Sequence, residues 1–159
     1  MTAAPRATRT VETREEPLPH GVGWAEVVAA DRPLLFKGAA ADWPLVRAGL
    51  SSADEAAALL AAGWSGRPVV VYRGEPEIGG RFAYTPAFDG FNFAASREPL
   101  DAVLGEILAL RDDPEPPAIY VGSTDLGLYF PRLGEAVPFG PAAIHPMLAE
   151  HPGLASVWL

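Results

Sequence analysis

Cysteine is missing from this chain, which excludes disulfides, Cys-ligated zinc and thiol nucleophiles together. Lysine is nearly missing as well, since Lys37 stands alone among arginines. Basic residues are outnumbered 12 to 20, and the net charge is −8. No cluster of Lys or Arg builds a basic face, so neither nucleic acid nor an anionic lipid surface is an expected partner. No run reaches the roughly 20 apolar residues that a membrane-spanning helix needs. The opening stretch "MTAAPRATRTVETREEPLPH" also lacks the apolar centre of a signal peptide. A cytoplasmic, soluble protein is the expectation.

What remains is enough for a core. The chain has 159 residues and is 49% hydrophobic, which fits one domain by the usual prior of roughly 100–200 residues. Residues 1–19, polar and carrying Pro5, Pro17 and Pro19, read as a flexible or extended tail ahead of a domain over 20–159. "GWAEVVAAD" (23–31) reads as a short helix, "RPLLFKG" (32–38) as a strand, and Pro44 as the start of a helical turn. "SSADEAAALLAAGW" gives the clearest local signal: Ser52 and Glu55 fit a capping box, Ala and Leu fill the body, and Gly63 sits where a helix stops.

"RPVVVYRG" (67–74) then reads as a strand. The turn "EPEIGG" should lead it back through "RFAYT" (81–85) as a hairpin, with a short aromatic strand in "FDGFNFAAS" (88–96). From Pro99 to about Arg111, Leu100, Val103, Leu104, Ile107 and Leu108 recur at three- and four-residue spacing and make one apolar helix face. "AIYVGS" (118–123) is a further strand, 125–152 is broken by prolines, and a last strand begins near Leu154. Helices lead and short strands dominate the middle and end. The pattern predicts α+β, with helices outside a mostly antiparallel sheet.

Chemistry is harder to find. His20, His145 and His151 lack the His-x-Asp/Glu spacing of a metal pair, and Pro146 and Pro152 break the helix that would align two ligands. "VGSTD" has no second glycine for a nucleophile elbow, and Ser123, Thr124 and Asp125 fit a strand-end turn. Gly79–Gly80 sit in neither phosphate-cradling frame. Trp24, Trp43, Trp64 and Trp158 read as core anchors. On residues alone, neither catalytic nor metal-ligating side chains are assigned.

Four stretches in order carry a resemblance: "RPLLFKGAAADWP" (32–44), "FDGFNF" (88–93) before an amphipathic helix, "IYVGSTDLGLYFPRLGE" (119–135), and "ASVWL" (155–159). Together they resemble the cupin-like, JmjC-type Fe(II)/2-oxoglutarate-dependent oxygenases. That resemblance implies the N-terminal part of a double-stranded β-helix (jelly roll). It implies Fe(II) and 2-oxoglutarate as cofactors of a full-length parent. The substrate would be a protein side chain or a small molecule, and a homodimer of the parent is admitted. In the family the iron is held by a His-x-Asp/Glu pair and a distant His that follow the strand resembled by "SVWL". The expectation is therefore a chain that stops ahead of its iron ligands and is inactive alone. Val69–Val71, Ile119–Val121 and Val157–Leu159 would then each lack partners from the missing half.

Tyr120 matches a family tyrosine whose hydroxyl reaches the distal carboxylate of 2-oxoglutarate. Trp158 would support that pocket, and Ser123, Thr124 and Asp125 would begin the substrate-side wall. The alternative is a complete, non-catalytic cupin-like binding or scaffold module.

Overall fold

A computed structural model of the chain describes residues 10–15, 27, 29–122, 124–134 and 156–159. The helix read over 23–31 and the stretch 135–155 lie largely or wholly outside the described residues. Within the stretch read as a tail, β1 (Glu12–Arg14) is extended and pairs in parallel with β2 (Leu34–Phe36).

Helices follow from their start signals. Pro44 fixes the φ of the first residue of α1 (Pro44–Ser51), which runs for two turns where the sequence suggested one. The added length has a reason in packing: Gly49 lies near Ala56 of the next helix, and Leu45 reaches the core. That next helix, α2 (Ala53–Gly63), is capped by Ser52, whose Oγ accepts the Glu55 N–H at 3.0 Å. Only half of the capping box forms, because the Glu55 carboxylate accepts from the Ser51 hydroxyl at 2.8 Å. α3 (Leu100–Ala109) takes Pro99 as its N-cap, one residue outside the predicted first turn.

The main sheet has three antiparallel strands in the order β4-β3-β5, formed by β3 (Val69–Gly74), β4 (Ala94–Glu98) and β5 (Ala118–Val121). The predicted hairpin between 67–74 and 81–85 does not form. β3 skips "RFAYT" and pairs instead with β4, with Val69 opposite Glu98 and Arg73 opposite Ala94. Beyond β5, β6 (Thr124–Asp125) runs into α4 (Leu126–Tyr129) and pairs with β7 (Ser156–Val157). Each strand segment expected to want further partners is paired on at least one side within the described residues. Val69–Val71 lie in the central strand, Val121 faces Val71 across the sheet, and Val157 faces Thr124.

Because side chains alternate along a strand, the sheet has two unlike faces. Val69, Val71 and Val121 point one way and are fully buried against Leu100 and Val103 of α3 and against Leu60 of α2. Phe130 and Leu133 close the same cluster. They are drawn over by hydrogen bonds from Ser65 N–H to Tyr129 O and from the Arg132 guanidinium to Trp64 O. Leu133 packs so closely on Gly63 that a Cβ there would sit 3.2 Å from it. Each fully buried aliphatic side chain contributes about 1.5–3 kcal/mol. We expect Leu100→Ala, which empties a fully buried position, to lower the unfolding free energy by about 2–5 kcal/mol in urea melts. Leu50→Ala, at a position 81% exposed, should stay within about 0.5 kcal/mol of the parent.

Arg73 lies on this helix-facing side and ties three elements together. Its guanidinium reaches Glu98 of β4 and Glu106 of α3, while the Ser96 hydroxyl also donates to Glu98. The Ser96 hydroxyl first, and Arg73 after it, hold the Glu98 carboxyl below the usual carboxylate range, against the opposing cost of burial. Glu106 first, and then Glu98, raise Arg73. A carboxylate with a lowered folded pKa stabilises the fold above its unfolded value of about 4.3 and loses that contribution as pH falls through the folded value. Chemical denaturation from pH 7 down to pH 3 should show stability falling on the acid side. Glu98→Gln should flatten that limb and lower the plateau at neutral pH.

Candidate functional site

The opposite face of the sheet, turned away from α2 and α3, is aromatic. Tyr72 of β3 faces Tyr120 of β5 directly, with ring centroids 5.7 Å apart and nearly parallel. Phe93, just before β4, meets the Tyr72 ring edge-on at 5.4 Å. Phe82 touches both Phe93 and Tyr120 at 5.5 Å. Offset and edge-on arrangements of this kind suit the ring quadrupoles. Val121 and Leu159 exchange backbone hydrogen bonds of 2.9 Å in both directions, which sets Leu159 alongside β5 and brings the Trp158 ring to 5.9 Å from Tyr120.

Residues 81–92, expected to hold the strand 81–85 and the first part of the strand 88–96, form instead a clamped loop with one isolated bridge between Tyr84 and Phe91, and of the second strand only 94–96 lies in β4. Asn92 holds its base: Oδ1 accepts from Ala83 N–H and Nδ2 donates to Arg81 O, both at 2.8 Å. Thr85 holds its tip, donating its N–H to Gly90 O and its hydroxyl to Asp89. Phe88 takes a left-handed φ of 58°, uncommon for an aromatic residue. The outcome is a shelf of exposed rings. Tyr84, Phe88 and Phe91 continue the array outward from Phe93, with Tyr84 stacked on Phe91 at 4.8 Å.

Where the array meets β5, Gly80, Arg81, Phe82, Ala118, Ile119, Tyr120 and Leu159 line an open depression of about 660 Å³. A second hollow of about 440 Å³ adjoins it through Gly80 and Ala118 and is walled by Pro76, Pro114, Pro116 and Pro117. Arg81 arrives at the depression through the turn at Gly79 and Gly80, both at positive φ. Its backbone is pinned on both sides, its N–H donating to Ile78 O and its carbonyl accepting from Asn92.

Of the residues singled out in the sequence, Tyr120 and Trp158 are brought together beside this depression. Tyr120 is half-buried, and its hydroxyl has no hydrogen-bond partner among the described residues. Trp158 is 59% exposed and donates its indole N–H to Ser156 Oγ, so it is no core anchor. Trp64 is: its indole N–H donates to Arg67 O and its ring packs on the core. Thr124 is buried in β6 opposite Val157. The Asp125 carboxylate caps α4, accepting the Leu128 N–H at 2.6 Å. Ser123, His20, His145 and His151 lie outside the described residues. No three His, Asp or Glu side chains among the described residues gather to hold a metal ion. No helix among them is long and apolar enough to cross a membrane.

Sequence reasoning missed Arg81, which stands alone in a turn without any motif around it. It also missed the reason for Gly122. The Tyr120 ring folds along the strand over that glycine, and a Cβ there would lie 2.7 Å from ring carbons and 2.8 Å from the hydroxyl oxygen. A tyrosine followed two residues later by glycine, at a strand end, is a signal that was available in "IYVGS".

A helix-backed antiparallel sheet with an aromatic, open second face is the frame on which the comparisons bear. The family model for the cupin-like domain matches residues 20–159, and the chain belongs to that family. No curated protein and no solved structure matches it. Gly122→Ala should push the Tyr120 ring off its present position without unfolding the sheet. Two-dimensional NMR would then show the Tyr120 and Trp158 ring signals moved while the far-ultraviolet circular dichroism stays the same. Unmoved ring signals would mean that Gly122 does not set the position of the phenol.

Proposed function

We propose that this chain forms the 2-oxoglutarate-end wall of a JmjC-type Fe(II)/2-oxoglutarate-dependent oxygenase of the hydroxylase or demethylase class. The observation that carries the reading is Tyr120, half-buried on a strand that lines an open depression, with a hydroxyl that has no hydrogen-bond partner among the described residues. A half-exposed hydroxyl of this kind bonds to water until a ligand supplies a partner. A carboxylate of a small bound acid would be one, accepting from the phenol.

The described residues do not fit iron, because no set of three ligating side chains comes together. The reading therefore assigns the iron ligands to sequence outside the described residues. What the described residues do is bind and orient. Tyr120 donates to the cosubstrate, while Phe82 and Tyr72 keep the phenol from swinging. Trp158 walls the pocket on the β7 side. Thr124 and Asp125 stiffen the turn that begins the substrate side, the one by burial and the other by capping α4. The jelly roll to which the sheet would belong is part of the same proposal.

A second reading, a non-catalytic cupin-like binding module, is favoured by one observation: among the described residues, the helix-covered side of the sheet closes over a buried core. Titration of the 159-residue chain with 2-oxoglutarate, followed by NMR, separates the two. The oxygenase reading expects shifts centred on Tyr120, with binding about tenfold weaker or more in Tyr120→Phe, since a hydrogen bond to a charged group contributes about 1.5–3 kcal/mol. It also expects no succinate from this chain with Fe(II) and O₂. Binding that Tyr120→Phe leaves unchanged would assign Tyr120 to aromatic packing and favour the module.

A further inference from the structure

The two edges of the main sheet are unlike. On the β5 side, Leu159 exchanges backbone hydrogen bonds with Val121 in both directions. On the other side β4 has no strand beyond it among the described residues, and Ala94, Ala95, Ser96 and Arg97 are all exposed. An open row of N–H and C=O groups recruits another strand, and proteins commonly block it with proline, a bulge or charge. β4 holds neither proline nor bulge: its pairing with β3 runs unbroken from Glu98 to Ala94, and Pro99 comes only after it. Glu98 is taken up by Arg73 and Ser96 on the helix side. Arg97 is the charge that remains. It lies opposite Val70, on the aromatic face, and its side chain has no hydrogen bond or ion pair among the described residues.

Symmetry restricts what a second copy can do at this edge. Opposed residues in a sheet share a face, so two identical antiparallel edges forming one sheet must be centred on a residue that faces its own copy. Centred on Arg97, two guanidiniums would oppose each other, which is unfavourable. Centred on Ser96, Arg97 would meet only the Ala95 methyl. Centred on Ala95, it meets Phe93, while Ala94 meets Ser96 on the helix side. Directly opposed side chains stand about 4.5–5.5 Å apart at Cβ, close enough for a guanidinium to lie on a ring. Phe93 is half-buried beside Tyr72, Phe82 and Phe91, so part of its ring is open to such a contact.

We infer that β4 is a docking edge for a second copy of this chain, paired antiparallel about a two-fold axis at Ala95, with each Arg97 against the partner's Phe93. The two sheets then become one, and their aromatic faces lie side by side. So short a pairing buries little surface, so the dimer is a weak, concentration-dependent one. The oxygenase reading is not needed for it.

The chain's lack of cysteine makes a register-specific test available. Ala95→Cys, Ser96→Cys and Arg97→Cys are oxidised mildly at one concentration, and disulfide-linked dimer is followed on non-reducing gels. Cβ atoms of a directly opposed pair stand near disulfide distance, so linking about tenfold faster in Ala95→Cys than in either neighbour would support the register. Sedimentation equilibrium on the parent, Arg97→Ala and Arg97→Glu gives the second measurement, with circular dichroism to verify that each variant is folded. The ring contact is made twice per dimer, so both variants should weaken association, Arg97→Glu about tenfold or more. Stronger association in Arg97→Ala would mean that Arg97 guards the edge against pairing, and would overturn the inference. A parent that stays monomeric at NMR concentrations, a dimer indifferent to residue 97, or fastest linking at Ser96→Cys or Arg97→Cys would overturn it as well.

Discussion

The alternation of side chains along β3 is the constraint on which the rest of the molecule depends. Val69 and Val71 must go under the helices, so Tyr72, next along the strand, must go to the other side. Register then passes that division to β5, where Val121 joins the valines and Tyr120 joins Tyr72. A tyrosine on the open face is thus a by-product of building the core. The same sheet that is held firmly by burial on one side also holds the phenol on the other, which is how a half-exposed side chain comes to be rigid. Precision at a binding surface is cheapest when a packed core sits directly behind it.

The open face is finished by segments that the sheet does not contain. Loop 81–92, cross-braced by Asn92, supplies Phe82 and Arg81 from one side. Leu159, bonded to Val121, supplies Trp158 from the other. Both are outside regular strands, and loops carried by a rigid scaffold are where recognition usually resides. The outer rings of the loop are mostly exposed, an arrangement that water disfavours and that a surface left for a ligand or for more protein would justify.

Helices were legible in the sequence because their signals are local. Ser52 and Glu55, the apolar spacing from Leu100 to Leu108, and Pro44 each act within a turn or two. The strand pairing was not, because it is decided at a distance. "EPEIGG" looks like a hairpin turn, yet its glycines end a short 3₁₀ turn, and β3 takes its partner from "AASRE", which is exposed and has almost no strand-like composition. Across that pairing Arg73 reaches Glu98 of β4, and beyond the sheet Glu106 of α3, by ion pairs that no local pattern announces. Of the candidate site, Tyr120 and Trp158 were reached through family likeness and do meet beside the depression. Arg81 was not, since one arginine in a turn carries no spacing to read. Thr124 and Asp125 do stand just past the end of β5, while the burial of one and the capping by the other emerge only with the fold.

The Arg73 cluster has a second consequence, which concerns which sheet is formed at all. Moving β3 along its neighbours by one residue would turn every side chain to the opposite face. Tyr72 would then enter the valine core, and Arg73 would be carried away from both glutamates and out among the rings. A run of three valines cannot by itself refuse such a slip, since Val70 would still fill one of the two buried places. The charged residue two positions past the run can. Arg73 therefore works as the key that makes a repetitive strand fit in one alignment only, and through that alignment it decides that the phenol of Tyr120 faces Tyr72 across open ground.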